Sequence, residues 1–173
     1  TEERTNFSGK HYQVDNASCL PRPVQDRLPI WIGGVGEKRT LKLVADYADG
    51  WNAAYLSPQE FGRVNEVLNH WCEDESRDPA SLRRAANVTF NLGLTDKDVE
   101  RERQRLHEVW GDATDRVIDG ALICTPEHTV ERLMEYADAG ADEINIALRA
   151  PWNEEALDAY LEQIMPQVRA ASS

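Results

Sequence analysis

Residues 29–40 read PIWIGGVGEKRT, a β-branched and aromatic run set directly against glycines at 33, 34 and 36 and then two cations. Ile30-Trp31-Ile32 has strand composition, and Glu37 to Ala48 carries Leu41, Val44, Ala45 and Ala48 at helical spacing. The stretch therefore predicts a strand, a glycine turn and a helix. After such a turn the first helical N–H groups have no internal partner. Glycines there permit positive φ and put no side chain between those N–H groups and an anion.

The same rhythm repeats downstream. Asp49-Gly50 ends the first helix, and Trp51 to Ala54 reads as a short buried strand. Ser57-Pro58-Gln59-Glu60 is a capping box with proline at the first helical position; the helix it opens carries Phe61, Val64, Leu68 and Trp71 and dies in the polar segment 73–79. A strand is expected over Val88–Leu92, then a helix over Asp96–Trp110 capped by Thr95, whose ERERQR face reads as solvated surface. Thr125-Pro126-Glu127 opens another helix by the same cap logic, stopping at Gly140; Ile144–Leu148 follows as a strand. The last helix begins near Asn153 and ends before Pro166. Upstream, TNFSGKHYQV (5–14) predicts a hairpin turning at Gly9-Lys10, and the prolines at 21 and 23 make a connector.

Alternating strands and helices of this length imply an α/β fold with a parallel sheet. Two architectures compete: an open flavodoxin-like sheet of four strands, or half of a (β/α)8 barrel, whose full form takes about 250 residues. The length of 173 residues favours the first, and an N-terminal segment that begins with neither Met nor an apolar signal stretch favours a piece of the second.

Composition narrows the function. The formal net charge is −12 and no basic stripe is visible, which argues against nucleic acid; no apolar run reaches membrane-spanning length. Three cysteines (19, 72 and 124) without metal or disulfide spacing fit a reducing cytoplasm. Of 19 basic and 31 acidic residues, the segment 22–42 holds five basic (Arg22, Arg27, Lys38, Arg39, Lys42) and two acidic (Asp26, Glu37). The glycine turn is thus a basic island in an acidic chain. It is neither a dinucleotide fingerprint nor a P-loop, so a tight structural turn and an anion site both stand on the glycines alone, and the local charge favours the anion. None of the four histidines pairs at metal-ligand spacing, and Asp49 reads as a turn residue.

The run IWIGGVGEKRTLKLVADYADGWN (30–52) resembles the luciferase-like monooxygenase family, especially its deazaflavin-dependent oxidoreductases. NFSGKHYQV and LPRPVQ resemble that family's hairpin and lead-in, and CTPEHTVERLMEYADAGADEINIAL its penultimate helix and last strand. The resemblance implies the C-terminal half of a (β/α)8 TIM barrel in one domain: residues 1–28 as hairpin and lead-in, 29–173 as strands five to eight with their helices. Strand five would be Pro29–Gly33, six Gly50–Ala54, seven Val88–Gly93 and eight Glu143–Leu148. It further implies hydride-transfer or monooxygenase chemistry on a small-molecule substrate, with coenzyme F-420 (8-hydroxy-5-deazaflavin) or, alternatively, FMN. Gly33, Gly34, Gly36, Glu37 and Lys38 would hold the coenzyme phosphate or ribityl chain, with Trp51 and Asn52 lining the same mouth. Where the family has Gly-Thr-Pro this chain has Cys124-Thr125-Pro126, and the family's acid and base candidates fall in the first four strands, so no catalytic residue is named. A homo-oligomer or a separate N-terminal half would complete the barrel. The competing reading is a half-barrel that binds a phosphorylated ligand, or serves assembly, without catalysis.

Overall fold

The computed structural model describes residues 3–171. Strands β1 (Thr5–Ser8) and β2 (Gln13–Ala17) pair antiparallel, turned by the Gly9 N–H donating to the Tyr12 carbonyl. Both strands are exposed along their whole length, so the hairpin adds nothing to the core.

From Trp31 onward every strand pair is parallel. Strand β3 (Trp31–Gly33) pairs β4 (Gly50–Ala54), which pairs β5 (Arg83–Phe90); β5's other edge is taken by β7 (Glu143–Ala147). A two-residue strand, β6 (Ala121–Leu122), pairs the last two residues of β5. The connecting helices are α1 (Thr40–Tyr47), α2 (Pro58–Asp74), α3 (Asp96–Trp110) and α4 (Pro126–Asp138). After β7 come α5 (Glu154–Ala159), a π-helical turn over Tyr160–Ile164 and α6 (Met165–Ala171).

Register sorts the side chains into two faces. Trp51, Ala53, Ala86, Val88 and Phe90 join Leu41, Phe61, Leu68, Leu133 and Ile164 from the helices in one core. The in-register positions between them, among them Gly33, Asn52 and Ala85, then Ala54, Asn87 and Asn145, belong to the other face. Four βα units covered by helices on one side make half of a (β/α)8 barrel, and the uncovered face is the one a closed barrel turns inward. No helix of the described residues is long and apolar enough to cross a membrane.

Several expected boundaries move. The third core strand starts at Arg83, five residues before Val88, and ends at Phe90 rather than Gly93. Arg84, outside the expected strand, is buried, with Asn65, Asn69 and the carbonyls of Pro79 and Leu82 accepting from its guanidinium. The first helix starts at Thr40 and not at Glu37, because residues 37–39 form a turn that carries the chain out of the glycines. Ser57, Thr95 and Asn153 accept from the N–H groups of Glu60, Asp98 and Ala156 as helix caps, whereas the Thr125 hydroxyl engages His128 and caps nothing. Pro166 does not end the last helix: the chain widens into the π turn ahead of it, and the proline occupies the second position of α6, where a missing N–H costs little.

Candidate functional site

All core strands point the same way, so their C-terminal ends lie at one end of the sheet, where barrel ligands bind. The glycine turn leaves β3 there. Gly34 has φ +117°, a conformation that favours glycine, and its N–H donates to the Asn52 carbonyl at 3.2 Å. A Cβ on Gly34 would stand 3.2 Å from Thr40 Cγ2, and one on Gly36 only 2.8 Å from Thr40 Oγ1. The turn folds over Thr40, and both positions must stay bare.

The next amides have no protein partner. From Val35 through Arg39 no N–H donates within the described residues, while Leu41 N–H reaches back to the Gly36 carbonyl. Arg39 stands at the N-cap of α1 without a side-chain cap. Five consecutive N–H groups are thus left without a protein partner on an exposed turn at a helix start.

The turn is braced from behind. Trp51 Nε1 donates to the Gly34 carbonyl at 2.7 Å, and Trp71 Nε1 to the Glu37 carbonyl at 2.8 Å. Trp51 itself is 0 % exposed, stacked on Phe61 at 5.2 Å, and Phe61 meets Tyr136 edge-on at 6.1 Å. The expectation that Trp51 lines the mouth is therefore corrected: alternation along β4 turns residue 51 into the helix-side core and Asn52 to the open face. Asn52 is level with Gly33, and its Oδ1 is buried without a partner.

Charge around the turn is sorted by ion pairing. Glu37 is bonded by Arg63 at 2.8 Å, and Arg63, held first by Glu60 and then by Glu37, has its pKa pushed up. Glu37 thus shares a single guanidinium with Glu60. Lys42, expected to add charge to the turn, is paired with Glu75 and Asp46 and lies over the Trp71 ring. Arg27 bonds Asp49 at 2.5 Å at the opposite end of β4, where Asp49 also accepts from the Ile30 N–H at 2.7 Å. Arg27 and that N–H hold the Asp49 carboxyl below its ordinary value, a tether for the lead-in rather than an acid for chemistry. Lys38 and Arg39 have no acidic partner among the described residues.

The structure thus brings together Gly33, Gly34, Gly36, Glu37, Lys38 and Asn52 and sets Trp51 behind them. Thr40, Arg63 and Trp71 were missed by sequence reading. Thr40, four residues after Gly36, was the one with a local signal, since a small β-branched residue has to fit under the bare turn. No group of three or more histidine, cysteine or acidic side chains placed to hold a metal ion occurs among the described residues.

The family model described as luciferase-like monooxygenase matches residues 1–143. The chain belongs to this family. An F420-dependent glucose-6-phosphate dehydrogenase of Nakamurella multipartita is 28% identical over 198 residues, an alignment covering 98% of this chain and 56% of that protein. Among solved structures, an F420-dependent secondary alcohol dehydrogenase in complex with an F420-acetone adduct superposes with a TM-score of 0.77 at 18% identity, over 98% of this chain and 57% of that one. A riboflavin lyase with modified FMN and riboflavin superposes at 0.68 and 11% identity, over 98% and 49%. These likenesses show the shared barrel fold. The luciferase-like chain spans about half the length of the relatives it matches.

Proposed function

We propose that this chain supplies the coenzyme phosphate and ribityl site of a luciferase-like oxidoreductase, with coenzyme F-420 as the preferred coenzyme and FMN as the alternative. The observation that carries the reading is the run of five unpartnered N–H groups from Val35 to Arg39, whose last two residues are the cations Lys38 and Arg39, without an acidic partner among the described residues. Backbone donors at a helix start, with roughly half a positive charge from the helix dipole, suit a phosphate. Asn52 Oδ1, an acceptor without a donor, suits a ribityl hydroxyl beside it. The bound coenzyme would supply the hydride chemistry; the protein's part here is to hold its tail and fix its direction across the strand ends. The F420-dependent relatives support the deazaflavin preference.

The test compares FMN with riboflavin, which differ only by the phosphate, and adds coenzyme F-420, in calorimetric titrations of the full chain. FMN should bind at least about tenfold tighter than riboflavin, and a Lys38→Ala/Arg39→Ala double variant should close most of that gap without changing the melting temperature. Gly34→Val should abolish the preference as well. Equal affinity for FMN and riboflavin in the unmodified chain would sink the assignment.

A further inference from the structure

A concavity opens at the same end of the sheet, two to three strand spacings or roughly 10–14 Å from the glycine turn. It is a cavity of about 170 Å³ between α3 and the ends of β5 and β7. Its apolar wall is made by Leu92, Leu106, Val109 and Trp152. Val109 and Trp152 are large side chains left about half exposed at this rim, 55% and 45%.

The polar groups of the cavity are what need explaining. Thr89 is 2% exposed and its hydroxyl has no hydrogen-bond partner; Trp110 Nε1 is likewise buried and unpartnered. Burying such groups unpaired costs free energy that a ligand can return. An indole N–H only donates, so the missing atom is an acceptor. Glu102, 6% exposed, is already engaged: Asn91 Nδ2 donates to it at 3.2 Å and Arg105 lies at 3.8 Å, while Arg105 also donates to the Pro151 carbonyl. Arg149 is different. Its guanidinium stacks on the Trp110 ring at 4.5 Å and has no acidic partner among the described residues. Stacking occupies the face of the guanidinium and leaves its N–H edge free. With Glu102 balanced by Arg105, the cavity keeps one net positive charge, two orphan polar groups and an apolar wall.

We infer that this cavity takes the carboxylate head of a small organic acid, with Arg149 as its charge partner, Trp110 Nε1 and the Thr89 hydroxyl as donors, and the apolar wall against its body. As the substrate's head-group site it rests on the oxidoreductase reading above; as a carboxylate site it stands on the cavity alone.

Phenylacetate and its uncharged isostere phenylacetamide serve as probes for the full chain, read by calorimetry and by the emission of Trp110 and Trp152. Phenylacetate should bind saturably, perturb the tryptophan emission and exceed the amide by about tenfold or more. Arg149→Gln, at an exposed position, should lower phenylacetate affinity by a similar factor while leaving the amide, FMN affinity and the melting temperature unchanged. Trp110→Phe should weaken phenylacetate further. Absence of saturable phenylacetate binding, equal binding of acid and amide, or an unaffected Arg149→Gln variant would each overturn the inference. If FMN and riboflavin bind alike but the Arg149-dependent preference persists, only the coenzyme assignment falls; the converse result removes this site and leaves the glycine turn.

Discussion

At the scale of single residues, the glycine turn works because its carbonyl side is tied down while its amide side is left free. Trp51 provides the tie, and it does so from a position where it touches no ligand: the 2.7 Å bond to the Gly34 carbonyl ends a line of rings running through Phe61 to Tyr136. Trp51→Phe should keep the stack and lose the bond. The expected cost is about 1 kcal/mol in urea unfolding, with FMN affinity falling several-fold and riboflavin affinity unchanged. Unaltered FMN binding in a variant destabilised by that amount would separate the bond from the site. The glycines themselves were legible in the sequence because few other reasons exist to place three within four residues between a strand and a helix. The role of Trp51 was not, because residues 51 and 52 of a strand face opposite ways and a one-residue parity is set by the packed sheet, not by the local pattern.

At the scale of elements, the instructive case is β5. Its first two residues are arginines, which hid five residues of strand, yet one of them is among the best satisfied groups in the molecule. The Arg84 guanidinium meets two asparagine oxygens from α2, at 2.6 and 2.8 Å, and two carbonyls, at 2.9 and 2.6 Å. It therefore fastens α2 to the strand without any carboxylate. Arg84→Ala would leave these four acceptors in a closed space and should destabilise the fold by about 3 kcal/mol. Arg83, one residue earlier, pairs with Glu143 and lies over the Trp31 ring from a side chain 65% exposed, so Arg83→Ala should stay within about 1 kcal/mol. Chemical denaturation of the two variants checks the contrast, and equal losses would refute it. Elsewhere the elements were readable where a cap or a stripe announced them, as at Ser57, Thr95 and Asn153. They were unreadable where tertiary pairing alone makes them: β6 is two residues long and exists through its ladder with Thr89 and Phe90.

At the scale of the whole molecule, alternation of strands and helices specified a parallel α/β sheet but not whether it opens or closes, since both architectures share the same local pattern. What separated them was the resemblance carried by the glycine run and its flanks, and the superposed barrels bear out that choice of fold. The half-barrel has consequences for activity. Among the described residues, strand β3 pairs only with β4 and β7 only with β5, so each leaves one parallel edge without a neighbour there, and the inward face presents Asn52, Asn87 and Asn145 where a closed barrel packs its interior. Edges of this kind find partners. This 173-residue chain on its own is accordingly expected to sediment as a dimer or larger species, and to bind FMN through its phosphate while holding the ring loosely. Catalysis needs ring and substrate at near-attack distance, and a displacement of an ångström already costs about 100-fold in rate. Turnover with coenzyme F-420 or FMN should therefore be at least about 100-fold lower for the chain alone than for the same chain supplied with four complementary βα units from a luciferase-like relative. Analytical ultracentrifugation and matched single-turnover assays make the comparison. A monomer that turns over as fast as the complemented protein would show that these four units hold the whole catalytic apparatus and that the open face needs no partner.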